Sequence, residues 1–227
     1  MEETTNQDLQ EQQAEQETDA KAEAVKPKRA EYFTATRIAY IAIFTALSTV
    51  LRFFQFSVLP AVPYLQVDFS DVFVLICGYS LGPVAGVISL VLKEFIYGLI
   101  GTKTMFVGEL ANILITLPML LITSLIYKKH KGIIAVIVGM VIACVVRVAW
   151  CFPVNWLLNF PVFVGFDWTK GMKMFIKVWY WAMLFNLIKT VILAAAVMLL
   201  YKPLSLLIKK TNEKFASVKG RRKNNSA

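Results

Sequence analysis

Apolar runs dominate this chain, and the polar positions gather in short clusters that separate one run from the next. The runs cover about residues 36–56, 72–81, 83–100, 105–127, 133–152 or beyond, and 175–201. A helix rises 1.5 Å per residue, so about 20 apolar residues cross a hydrocarbon core of about 30 Å. Five runs approach or exceed that length and predict membrane helices. The second would rise only about 15 Å, which leaves two readings: a short helix of its own, or one helix over 72–100 kinked at Gly82-Pro83.

Charge placement chooses between five segments and six. Lys26, Lys28, Arg29 and Arg37 flank the first run, and Lys202, Lys209, Lys210, Lys214, Lys219, Arg221, Arg222 and Lys223 follow the last. Basic flanks stay in the cytoplasm, so both ends belong there and the number of crossings is even. The expectation is an all-α membrane protein of six transmembrane helices with a broken or short second helix and both termini cytoplasmic. The basic cluster KKHK at 128–131 then lies inside. Lys103, Lys170 and Lys173 lie in outer loops, and the stretches 57–71, 101–104 and 153–174 face outward.

Composition agrees with a membrane class. Of 227 residues, 57% are hydrophobic and the net charge is +9; the mean hydropathy is +0.60. The positive charge sits at the ends of apolar runs without a nucleic-acid-binding signature, so topology accounts for it and no nucleic-acid partner is expected. Residues 1–33 are rich in Glu and Gln and predict a disordered acidic cytoplasmic tail. That tail has no apolar h-region, so the first apolar run is expected to stay as an uncleaved helix. Residues 34–202 form the membrane domain and 203–227 a basic cytoplasmic tail.

Several chemistries find no footing. Cys144 and Cys151 would lie about 10.5 Å apart along one helix, too far for a disulfide, and with Cys77 they read as buried free thiols. The single histidine, His130, sits in KKHK, which excludes a histidine-based metal site or catalytic triad. No GxxxxGK[ST] occurs, so any ATP hydrolysis must come from another chain. With no nucleophile–base pair or paired catalytic carboxylates, an enzyme is not expected, nor any cofactor.

The polar residues inside the apolar runs are the candidates for function, because a charge at the centre of a membrane helix costs about 2.5–3.5 kcal/mol on insertion scales. Glu109 and Asn112 share one helical face, as do Asn186 and Lys189. Glu109 and Lys189 could form a structural ion pair between neighbouring helices. Alternatively, the two pairs line a site where Lys189 and Asn186 donate to ring carbonyls, and Glu109 and Asn112 serve hydroxyls or ring N–H groups. Asn155 adds an amide at the outer end of the fifth segment. Lys93 and Glu94, near the outer end of the third, neutralise one another, and Arg147 is a lone charge with no assigned ligand role.

Three patterns have packing or interfacial readings. Gly78, Gly82 and Gly86 recur every four residues around Pro83, which permits close helix contact or a broken helix beside a site. All five tryptophans, Trp150, Trp156, Trp168, Trp179 and Trp181, fall around the last outer loop and read mainly as an aromatic belt. Ala42 and Ala46, with Ala35 and Ala39 before them, make a small-residue face on the first helix.

VDFSD at 67–71, GPVAG at 82–86, GTKTMFVGELAN at 101–112 and FNLIK at 185–189, in this order and spacing, resemble the riboflavin-binding substrate (S) component of energy-coupling factor (ECF) vitamin transporters. The resemblance covers about residues 34–202. It implies a six-helix protein of the cell membrane that binds riboflavin from outside. A separate transmembrane T component and two ATPase subunits would then energise uptake. Residue by residue, it assigns Asn155, Asn186 and Lys189 to the isoalloxazine ring, Glu109 and the loop around Leu65, Gln66 and Asp68 to closure over the ligand, and Ala42 and Ala46 to the face that meets the T component. YLQV before DFSD departs from the family pattern, which has a threonine near Gln66. An S component for FMN or another vitamin stays open, as does an ion-coupled secondary transporter in which Glu109 and Lys189 relay protons.

Overall fold

The computed structural model describes residues 34–60, 62, 65–101 and 106–224. The acidic tail over 1–33, Tyr64, Lys103 and Met105 lie outside the described residues. The chain divides into two units, Met1–Ile38 and Ala39–Ala227. Of the first, only the approach to the first helix and its opening residues are described; the second holds everything discussed below.

Helix α1 spans Ala35–Phe53 and is followed by two short strands, β1 (Phe56–Ser57) and β2 (Gln66–Val67). These pair antiparallel, Phe56 with Val67 and Ser57 with Gln66. Then come α2 (Ser70–Leu81), α3 (Pro83–Gly101), α4 (Val107–Lys129) and α5 (Ile133–Val154). Helix α5 runs on through a π-helical turn, Asn155–Asn159, and one more turn, Phe160–Phe163, before α6 (Trp168–Asn224). Five of these segments are long and apolar enough to cross a membrane: α1, α3, α4, the stretch Ile133–Val162 and the stretch Trp168–Leu200. The last helix begins seven residues before the expected 175 and continues through the segment read as a tail.

Residues 70–101 form two helices rather than one kinked helix, and the cause is local. Gly82 has φ +96°, a conformation open to glycine and costly for residues with a Cβ. Pro83 then starts α3, where its missing N–H would have had no partner anyway. Gly82 N–H closes α2 by donating to the Gly78 carbonyl at 3.0 Å.

The short α2 is the centre of the bundle, with ten of its twelve residues buried. That burial explains why it carries apolar residues on every side without the length to span a bilayer. Val74, Leu75 and Ile76 join Leu90 of α3, Leu120 of α4, Met140 of α5 and Leu193 of α6 in one core. The longer helices turn other apolar residues outward, among them Leu47, Leu99, Val145 and Leu199, as surfaces in contact with lipid do. Cys77 and Cys151 are buried and form no disulfide, whereas Cys144 is only half-buried.

Pro118 interrupts α4 and cannot bond to the Leu114 carbonyl one turn back. The Trp150 indole of α5 donates to that carbonyl at 3.1 Å, so the acceptor is satisfied from a neighbouring helix.

The glycine stripe serves packing. A Cβ on Gly86 would lie 2.9 Å from Leu120 Cδ1 and 3.0 Å from the Gly78 Cα. The second contact is backbone and cannot yield. Gly86→Leu is expected to lower the thermal midpoint of the detergent-solubilised protein by an amount corresponding to at least about 1–3 kcal/mol, the usual cost of overpacking. An unchanged midpoint would mean that α2 and α3 do not approach this closely.

Candidate ligand-binding site

The turn at Gly82 sets the register of the polar residues on α2 and α3. Asp71 and Lys93 each lie eleven residues from Gly82 (82 − 71 and 93 − 82), so an antiparallel hairpin brings them to the same height. Their side chains meet at 2.7 Å, both wholly buried. Lys93 Nζ also lies 2.8 Å from Glu94 Oε1 and donates to Ser70 Oγ at 2.9 Å. Mutual neutralisation of Lys93 and Glu94 is thus part of a larger cluster. The pair sits in the middle of α3, Pro83–Gly101, instead of near its outer end.

Other helices add cations to the same carboxylates. From α6, Lys189 Nζ reaches Asp68 Oδ2 at 3.2 Å and Asp71 Oδ2 at 3.4 Å. From α1, Arg52 Nη1 lies 2.8 Å from Asp68 Oδ2, and its Nε lies 3.5 Å from Glu94 Oε2. From α5, Arg147 Nη1 lies 3.9 Å from Asp71 Oδ2. The Asp68 backbone position is held by its own side chain, whose Oδ1 accepts from the Ser70 N–H at 2.9 Å and from the Ser70 hydroxyl. Burial alone would push the Asp68 carboxyl up, but Lys189 and Arg52 together outweigh it and bring it down to about 2. It is therefore ionised at neutral pH and remains available to both cations.

Beside this cluster opens a cavity of about 400 Å³. It is lined by Leu65 and Gln66 from the hairpin, Glu109 and Asn112 from α4, Asn155 from the π-helical turn, and Asn186 and Lys189 from α6. Those are seven of the eight residues that the sequence marked for the ligand. Asp68 is not among the lining residues; it lies behind the wall as the counter-ion of Arg52 and Lys189. Asn112 bridges the cluster, accepting from Lys189 Nζ at 3.4 Å and donating to Glu94 Oε1 at 2.5 Å. Lys189 therefore has aspartates as its ion-pair partners.

The amides hold defined orientations. Asn155 donates to the Cys151 carbonyl at 2.7 Å and accepts from Asn159 at 2.9 Å. Asn186 donates to the Ala182 carbonyl at 3.0 Å and accepts from Arg147 Nε at 3.4 Å. An amide has two N–H donors and two acceptor lone pairs, so each keeps capacity for a ligand. The extra residue of a π turn re-aims side chains and is frequent at functional sites; here it brings Asn155 and Asn159 together on the cavity wall.

The wall also contains residues to which sequence patterns alone assigned no ligand role: Arg52, Gln55, Tyr97, Arg147, Asn159, Phe160, Met174 and Phe185 among them. Gln55 donates to the Tyr97 hydroxyl at 2.7 Å, and the Arg52 guanidinium lies 4.7 Å from the Tyr97 ring centroid. Arg52 was hidden because it falls near the end of an apolar run and resembles a flanking charge. None of the five tryptophans lines this cavity, and Trp150, Trp168 and Trp179 are exposed, consistent with an interfacial belt.

Comparison with known proteins extends this picture. The model of the family described as ECF transporter, substrate-specific component matches residues 36–201. The riboflavin transporter RibU of Staphylococcus aureus (strain TCH60) is 30% identical over 178 residues, which is 77% of this chain and 93% of the relative. The riboflavin transporter RibU of Streptococcus thermophilus (strain ATCC BAA-250 / LMG 18311) is 29% identical over 192 residues, 82% of this chain and 91% of the relative. A solved S component of a bacterial ECF transporter superposes with a TM-score of 0.62 at 30% identity, over 76% of this chain and 97% of the other.

The buried cluster yields a stability test. Lys93→Ala leaves Asp71 and Glu94 without their shortest ion-pair contacts in a water-poor interior. Breaking a buried pair in this way costs about 3–5 kcal/mol, so the variant is expected to lose most of its thermal stability or fail to accumulate. A midpoint equal to that of the parent would show that the cluster is not structural.

Proposed function

Since this chain belongs to the family of ECF transporter substrate-specific components, we propose that it captures riboflavin from outside the cell and takes part in its uptake across the cytoplasmic membrane. It is a multi-pass protein of the cell membrane. The observation that carries the ligand assignment is the convergence of Leu65, Gln66, Glu109, Asn112, Asn155, Asn186 and Lys189 on one cavity. About 400 Å³ falls within the range of pockets that enclose a small organic ligand.

The chemistry of the wall suits a flat ring with a polar edge. Asn155 and Asn186 each offer donors and acceptors, as an edge of alternating carbonyl and N–H groups requires, and Lys189 serves a ring carbonyl. Leu65, Phe160, Met174 and Phe185 provide apolar surface for the faces of the ring. Gln66, Glu109 and Asn112 take the hydroxyls of the ribityl chain. Asp68 acts through its partners, fixing the positions of Arg52 and Lys189. The matching relatives are named riboflavin transporters, which favours riboflavin over its phosphate FMN.

Six helices cross or enter the membrane, with α2 spanning only part of it, and both termini lie in the cytoplasm. Residues 34–202 constitute the riboflavin-binding domain, and 1–33 and 203–227 are cytoplasmic tails. The chain supplies binding without catalysis and needs no cofactor. A T component and two ATPase subunits provide the energy. Ala42 and Ala46 are exposed one turn apart on α1, which fits a surface where a partner helix approaches closely.

Protein purified from cells should be yellow with bound flavin and should quench added riboflavin fluorescence; colourless protein that leaves riboflavin fluorescence unchanged would sink the ligand assignment. Lys189→Ala removes a charge-assisted hydrogen bond and is expected to weaken riboflavin binding by about ten- to hundred-fold, and titration of the folded variant by fluorescence quenching checks it. Ala42→Trp or Ala46→Trp should bind riboflavin nearly as the parent does yet fail to co-purify with the T component and support little uptake. A parallel loss of riboflavin binding would place these alanines in internal packing instead.

A further inference from the structure

Arg147 is the cation of the cluster with the loosest ties. Its residue is 1% exposed, yet it lines the cavity. Nε donates to Asn186 Oδ1 at 3.4 Å, and Nη1 donates to Met119 Sδ at 3.2 Å, where a thioether is a weak acceptor. Its nearest carboxylate oxygen, Asp71 Oδ2, lies 3.9 Å away and accepts a hydrogen bond from no group. Among the described residues no hydrogen bond engages Nη2.

Neutralising Asp71 does not account for this side chain. Lys93 already approaches Asp71 at 2.7 Å and Lys189 at 3.4 Å. The cluster sets four cations, Arg52, Lys93, Arg147 and Lys189, against three carboxylates, Asp68, Asp71 and Glu94, within 4 Å contacts. A guanidinium presents five N–H donors in a planar fork and stays charged at any pH the protein meets. Such a fork, buried with few acceptors and bordering a cavity, lacks a partner that a ligand can supply.

Its position narrows what that partner is. Arg147, Cys151 and Asn155 follow one another at intervals of four along the same stripe of the fifth helix, and Arg147 touches Asn186. Asn155 and Asn186 are the amides assigned above to the polar edge of the flavin ring. Because Arg147 only donates, the atom it meets must be an acceptor.

We propose that Arg147 is a further ligand-binding residue, which donates its guanidinium N–H groups to an acceptor on the polar edge of the bound isoalloxazine ring and so selects for rings with an acceptor there. The inference rests on the riboflavin reading. It differs from a structural role for Arg147 in requiring the planar fork, where a counter-ion to Asp71 would need only a positive charge.

The test uses the full chain with R147K and R147M, riboflavin, and lumiflavin, which keeps the ring but lacks the ribityl chain. R147K retains the charge beside Asp71 and is expected to keep the thermal midpoint of the ligand-free parent. Its affinity for both flavins should nevertheless fall about ten- to hundred-fold. At saturating flavin, the long-wavelength absorption band of the bound ring should shift in R147K relative to the parent, because the hydrogen bonds of the planar guanidinium fork to the ring edge polarise the chromophore and an ammonium does not reproduce them. R147M should weaken the binding of both flavins at least as much as R147K does. Parental affinity in R147K, a loss seen with riboflavin alone, or an unshifted band would each overturn the proposal. If the parent itself binds no riboflavin, the functional reading fails and the inference falls with it, whereas a parent that binds beside an unaffected R147K removes the inference alone.

Discussion

The ion pair between Asp71 and Lys93 is the constraint to which the rest of the bundle adjusts. Two wholly buried charges at the same height on one hairpin are tolerable only with close opposite charges and hydrogen bonds around them. Glu94 adds a further negative charge at that level, and the neighbouring helices respond with cations: Arg52 from α1, Arg147 from α5 and Lys189 from α6. Each contact fixes the rotation of its helix about its own axis. The cavity lies beside the cluster, and polar groups such as Asn112 are shared between cluster and wall.

Much of this was legible in the chain, and the limits are instructive. Apolar run lengths located the helices, and Gly82-Pro83 located the break, since both signals are local. Helical spacing paired Glu109 with Asn112 and Asn186 with Lys189, and the cavity contains all four. Asp71 was less visible because it falls just before the apolar run at 72–81, and its importance depends on partners over twenty residues away. The tie between Lys189 and Asp68 joins positions 121 apart, which no rule about neighbours on one helix can find. Arg147 looked solitary for the same reason: its contacts all lie on other helices. The π-helical turn escaped because the flanking Pro153 and Pro161 announce an irregularity without giving its form.

The cavity amides illustrate how such a wall stays ordered without a ligand. Asn155 and Asn186 each donate to a carbonyl one turn back in the chain, so neither is left to compete for random partners. Their remaining donors and acceptors are held in fixed positions at the cavity wall, and groups held in place lose less conformational freedom when they bind.

The length of α2 determines where along the bundle axis the charged cluster and the cavity beside it sit. Helix α3 has 19 residues and α2 has 12, so at 1.5 Å per residue α2 ends about 10 Å short of its antiparallel neighbour. The missing turns lie on the Asp71 side, where the cluster forms a floor and the cavity opens above it. The cavity therefore lies partway along the bundle axis instead of at the tips of the long helices. Twelve residues of α2, about 18 Å of packed helix, lie between that floor and the turn at Gly82.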